Sequence, residues 1–273
     1  GTAAPVDRVA LAGGAALLAV AAAAWVAVLR GADGMSMHGP SAAPSLRDGL
    51  LFTWMWGVMM AAMMLPSAAP MILLYRTVSR RLATTGERVI PAWLFGGVYL
   101  CVWMLLGVPV YAGYVAAARL AERSAAFGAL APYLVAFSLA AAGAYQLTAA
   151  KRVCLKHCES PLGLLMRRWR SGYAATLRLA LAHAGYCVGC CWGLMLVLVV
   201  AGSMSVPWVL VIALAVAAEK MLPRGLRTAR LLGAALLVLA TAVALRPELA
   251  GTLRPGSSAP GGAAEGRMRE MGM

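Results

Sequence analysis

His183, Cys187, Cys190 and Cys191 lie close together in one long apolar run, Thr176 to Gly202. At about 100° per residue, with His183 at 0°, Cys187 falls at about 40°, Cys190 at about −20° and Cys191 at about 80°. All four therefore share one face of a helix, at the i, i+3 and i+4 spacings that make side chains neighbours. Thiolate and imidazole donors suit Cu(I), Zn(II) or iron–sulfur centres, and thioethers shift the balance towards Cu(I). Cys187-Val188-Gly189-Cys190 is also a C-x-x-C, the arrangement of thiol–disulfide electron carriers. A plainer alternative is packing, because a free cysteine behaves as a small hydrophobe. A histidine in a membrane span is by default a candidate functional residue.

A second group, Cys154, His157 and Cys158, lies in the basic segment Lys151 to Tyr173. Its C-x2-H-C spacing can hold one metal ion or serve as a transfer point at the cytoplasmic mouth. A helix would bring Cys154 and Cys158 together at i+4, and Lys156 and Arg152 are expected to favour their thiolates. Three ligands leave a closed zinc site incomplete, and a reducing cytosol disfavours a structural disulfide.

Methionines supply the third set. Met55, Met59 and Met63 recur every four residues as a stripe, with Met60 and Met64 on an adjoining side. Thioethers bind Cu(I) without losing a proton, although methionine also fills gaps in cores. Pro66 and Pro70 are expected to free carbonyls and kink this helix. Met35, Met37 and His38, and Met268, Met271 and Met273 near the C-terminus, are further soft donors expected on the outer face. Glu219-Lys220 reads as an ordinary boundary pair, the lysine snorkelling to the surface, with proton handling or fixing a loop as the alternative role for Glu219. The sequence has no phosphate-binding glycine loop, no paired carboxylates and no serine–histidine–acid set, which disfavours a hydrolase or a nucleotide-driven pump and makes a non-enzymatic role the leading expectation while leaving catalysis open.

The elements that must position these groups follow from composition. The chain has 273 residues, is 62% hydrophobic and 12% charged, and has a mean hydropathy of +0.78. A soluble domain carries about 25% charged residues. Apolar runs of about 20 residues separated by short charged segments predict an all-α, polytopic transmembrane bundle. Seven spans are expected, at 9–29, 50–75, 92–118, 129–150, 174–201, 206–222 and 229–246. They form a single domain over 1–246, followed by a Gly/Pro/Ala-rich tail, 247–273, expected to be disordered. The first span is read as an uncleaved helix rather than a signal peptide. With the N-terminus in the cytoplasm, most of the 24 basic residues fall on the inside. The net charge of +14 thereby follows the positive-inside rule, and nucleic acid is not needed to explain it. Gly185, Gly189 and Gly193 recur every fourth residue opposite the cysteines and predict a small-xxx-small packing groove.

Four motifs carry a resemblance that spans roughly residues 50 to 230. They are Trp56-Gly57-Val58-Met59-Met60-Ala61-Ala62-Met63-Met64-Leu65-Pro66; Cys154 with Cys158-Glu159-Ser160-Pro161; Gly185-Tyr186-Cys187-Val188-Gly189-Cys190-Cys191-Trp192-Gly193-Leu194-Met195; and Glu219-Lys220 before Pro223 and Gly225. On these the chain resembles a bacterial family of predicted metal-binding integral membrane proteins with a double-cysteine motif. The resemblance implies metal binding and defines no reaction. The expectation is a multi-pass protein of the bacterial plasma (inner) membrane that binds a soft metal, Cu(I) ahead of zinc. Its role would be copper transport, delivery, or service as an accessory subunit of a membrane copper enzyme. The partners expected are the lipid bilayer and either such an enzyme or a copper chaperone.

Overall fold

The computed structural model describes residues 8–34, 45–84, 86, 88, 90–170, 172–202 and 205–253, which contain helices and no strand. The expected soft donors Met35, Met37, His38, Met268, Met271 and Met273 lie outside the described residues, as does the tail from 254 onwards.

Among the described residues, eleven helices follow one another: α1 (Arg8–Gly34), α2 (Leu46–Thr84), α3 (Ala92–Leu105), α4 (Gly107–Arg123), α5 (Ala125–Gln146), α6 (Ala149–Glu159), α7 (Pro161–Arg168), α8 (Tyr173–Gly202), α9 (Val206–Met221), α10 (Gly225–Leu245) and α11 (Leu249–Thr252). Local chemistry sets their starts. Ser45 and Asp48 form a reciprocal capping box before α2: Asp48 N donates to Ser45 Oγ at 3.2 Å and Ser45 N to Asp48 Oδ2 at 3.0 Å. Ser124 caps α5 and Thr148 caps α6. The Thr148 turn ends the expected 129–150 span at Gln146 and hands residues 149–150 to α6.

Among the described residues, six segments are long and apolar enough to cross a membrane: Ala12–Gly31, Leu46–Thr84, Ala92–Arg123, Ala126–Gln146, Tyr173–Ala201 and Gly225–Leu245. Each matches an expected span. The segment from Ala92 is divided at Leu106 into α3 and α4, where Pro109 leaves the Leu105 carbonyl without its helical donor. The remaining expected span, α9, has 16 residues, about 24 Å of helix against about 30 Å of hydrocarbon. Pro223 stops it, since the residue before a proline avoids helical geometry. Large apolar side chains such as Phe137, Leu231, Val238 and Leu245 face outwards.

Helix α8 packs against α3, α5, α6 and α9, while α2 packs against α1, α3, α4, α7 and α9. The expected glycine groove on α8 is used in part. Gly193 lies against Tyr145 and Ala142 of α5, and Gly189 faces Cys154 of α6, but a Cβ at Gly185 would meet nothing within 4 Å. Glycine also lets α5 approach α10 closely, where a Cβ on Gly143 would sit 2.9 Å from the Gly233 carbonyl oxygen. The segment after α10 begins with an ordered turn: α11 is held by Trp208, whose Nε1 donates to the Leu253 carbonyl at 2.8 Å.

Candidate metal centre

The sulfur face of α8 points into the protein. Cys187, Cys190 and Cys191 are buried, and their sulfur atoms all lie within 4.8 Å of one another. Cys190 Sγ is 3.4 Å from Cys191 Sγ and donates to the Cys187 carbonyl at 3.2 Å. Helix α6 adds a fourth thiol, for Cys158 Sγ is 3.4 Å from Cys190 Sγ. Cys158 is half-buried, so it joins the enclosed cluster to a more open surface.

His183, one turn before Cys187, is 4% exposed, and neither ring nitrogen has a hydrogen-bond partner. Its ring stacks on Tyr99 at 5.4 Å and Phe95 at 6.2 Å between centroids. A buried polar group without a partner costs about 1–3 kcal/mol. His183 is thus an enclosed imidazole with both nitrogens unpartnered, one turn along α8 from Cys187.

Two groups address Cys187 from other helices. Tyr99 Oη of α3 lies 3.1 Å from its sulfur, and Lys220 Nζ of α9 lies 2.9 Å away. Lys220 Nζ also reaches Ser67 Oγ of α2 at 3.3 Å. Lys220 is therefore turned inwards, which corrects the expectation of a snorkelling boundary lysine. The reason is its place on α9, next to Glu219 but about 100° round the helix. Glu219, 1% exposed, faces a different partner set. It pairs with Lys151 at 2.5 Å and accepts from Gln146 Nε2 at 2.7 Å. Lys151 Nζ also donates to the Cys190 carbonyl at 2.5 Å. A buried ion pair thus clamps α6 and α9 to the cysteine turn of α8.

The second sequence group divides. Cys158 joins the cluster, whereas Cys154 lies on the glycine side of α8, where a Cβ at Gly189 would come within 2.8 Å of its sulfur. The i+4 spacing aligns the two along α6, but α6 crosses α8 so that they meet different faces. Both thiols are pushed up rather than down. For Cys154 the cause is burial, only partly offset by Lys151; for Cys158 it is the hydrogen bond with Cys187 together with burial. The expected thiolate-favouring effect of Lys156 and Arg152 is overturned because both point to solvent. His157 stacks on Tyr186 at 4.2 Å with rings 5° apart, and its Nδ1 donates to the Val153 carbonyl at 2.8 Å.

Met59 and Met63 are buried in the core with Met60 and Met64, and Met55 is half-buried. The structure links α2 to the thiol pocket through Ser67, by way of Lys220. Sequence reasoning missed Tyr99, Gln146 and Ser67 as parts of the site and counted Lys151 only as a loop charge. An acid next to a lysine at a helix end was the one legible hint of the buried pair.

A family model described as PpoB2, copper chaperone, matches residues 53–243, more than half of the chain. No curated protein and no solved structure matches.

Proposed function

The chain belongs to the PpoB2 copper chaperone family, and from that premise we propose that it holds Cu(I) as cargo on the α8 thiols and passes it to a copper enzyme. The observation that carries this reading is the convergence of Cys187, Cys190 and Cys191 with Cys158; His183, one turn along α8 with no hydrogen-bond partner, is a further candidate donor. Sulfur-rich sites select Cu(I). Adjacent sulfurs also allow transfer, since a new thiolate can bind before the previous one leaves.

In this reading the protein is a multi-pass component of the bacterial inner membrane with its N-terminus in the cytoplasm. Support comes from six helices long and apolar enough to cross and from the inner bias of basic residues. Cys158, half-buried at the edge of the cluster, is the exchange point on the cytoplasmic side. His183 completes the inner ligand set. Cys154 and His157 flank the exchange point, and Met55, Met59 and Met63 line the way towards the outer face. The acceptor is a membrane-bound copper enzyme, which the protein serves by delivery or as an accessory subunit.

Metal analysis and X-ray absorption on full-length protein purified without chelator test this. The expected result is bound copper with a sulfur-dominated shell that disappears in the Cys187→Ser/Cys190→Ser/Cys191→Ser variant. Absence of both copper and zinc overturns the metal reading. A thiol–disulfide carrier is the second reading, favoured by the 3.4 Å contact between Cys158 and Cys190. It would be marked instead by a reversible disulfide among these thiols in metal-free protein.

A further inference from the structure

Lys220 is the feature of the pocket that metal binding alone does not explain. A lysine at the end of an apolar helix gains most by sending its ammonium to water. This one turns inwards, with Cys187 Sγ at 2.9 Å and Ser67 Oγ at 3.3 Å. The second lysine at the site, Lys151, is fully buried and already neutralised by Glu219. Lys220 therefore supplies the positive charge that faces the sulfur cluster, and it faces the one sulfur that Tyr99 also addresses.

A fixed ammonium acts on a metal–thiolate unit in two ways. It attracts the thiolates, and that attraction is the same whichever metal they hold. It also repels the metal, in proportion to the metal's charge. When two ions on the same sulfurs are compared, the attraction cancels and only the repulsion remains. The sign of what is left is unambiguous: the ammonium penalises a divalent ion twice as heavily as a monovalent one.

We propose that Lys220 is the specificity-determining residue of the site, a built-in cation that favours monovalent copper over divalent zinc on the same thiols. Cu(I) competes with the ammonium for the Cys187 sulfur, and Ser67 receives the ammonium as it gives way. It stays close enough to balance the negative copper–thiolate unit and to repel a second unit of charge. The inference rests on the copper-site reading above and adds the means of choosing the ion.

The test is a chelator competition on detergent-solubilised full-length protein, measuring Cu(I) and Zn(II) affinities for wild type, Lys220→Met and Lys220→Arg. The ratio of Cu(I) to Zn(II) affinity should fall by on the order of 100-fold in Lys220→Met, the scale of one unit-charge repulsion across about 5 Å at an effective dielectric near 20. Lys220→Arg should restore it. Ser67→Asp gives an independent arm, because a carboxylate beside the ammonium neutralises it without altering Lys220 or the thiols. It should move the ratio in the same direction, and it keeps the inference falsifiable if Lys220→Met does not fold. An unchanged ratio in either folded variant, with binding still dependent on Cys187, Cys190 and Cys191, overturns the role of Lys220 and leaves the copper site standing. Metal binding that persists without those three cysteines overturns the copper-site reading, and this inference with it.

Discussion

At the scale of single residues, His183 and Cys154 show how little residue type says without surroundings. Both are soft-donor side chains, yet His183 is enclosed with two idle nitrogens, and Cys154 is set against Gly189 on the far side of α8. His183 yields a two-sided prediction. His183→Phe preserves the ring that packs on Tyr99 and Phe95 and removes the nitrogens. The metal-free protein should then gain thermal stability, because an unpartnered polar group costs about 1–3 kcal/mol. Copper affinity should fall by at least about 10-fold, the lower end of the cost of losing even an outer-shell partner. Thermal unfolding and chelator competition on the same preparation check both halves, and unchanged copper affinity removes His183 from the ligand set.

At the scale of elements, α6 is the piece whose position decides whether the site has three thiols or four. It has 11 residues, about three turns, too few to be stable alone. Its anchor is the Lys151–Glu219 pair with the Cys190 carbonyl. Removing one member of a buried pair leaves an uncompensated charge and costs about 3–5 kcal/mol. Lys151→Met should be destabilised by about that amount and should expose Cys158 to alkylation. Adding Glu219→Leu should recover most of the stability, because replacing both charges with apolar groups is often neutral. Thermal melts and mass-spectrometric mapping of maleimide-labelled cysteines read the two effects. If the single and double variants are equally destabilised, the pair is not the anchor. The sequence carried a trace of this in Glu219-Lys220, but adjacent residues project differently from a helix, and only α9's docking shows which one meets Lys151.

At the scale of the whole molecule, large apolar side chains are exposed on the outside, and a small polar and sulfur cluster is set within an otherwise apolar core. The apolar exterior is what a bilayer favours, and ionisable groups placed inside rather than facing lipid fit the same setting. Crossing six times or seven depends on α9, whose 16 residues are short for a full span. The proposed orientation, with the N-terminus inside and α5 crossing, puts Ser124 and Ser160 on opposite sides whether or not α9 crosses. Cysteines introduced by Ser124→Cys and Ser160→Cys should react with an impermeant maleimide from the outer and the inner face, respectively, of oriented vesicles, each scored against the unsubstituted protein. Labelling of both from one side overturns the topology.

The sequence by itself determined the class of the protein and the shared face of its three cysteines. Hydropathy follows directly from composition, and the angle between residues on one helix is set by covalent geometry and the backbone hydrogen-bond repeat. It also placed the glycines that allow close packing, though not which of them would be used. Only the tertiary structure decided that Cys158 completes the cluster while Cys154 does not. The same is true of Lys151 meeting Glu219, Lys220 and Tyr99 turning to Cys187, and Ser67 standing ready beside the ammonium. These contacts join residues from 32 to 153 positions apart. Their existence depends on how helices cross, which is fixed by the summed packing of all their side chains and by no local spacing. The sulfur face of α8 was legible because it lies within one helix; the cation that would choose its metal was not, because it arrives from another.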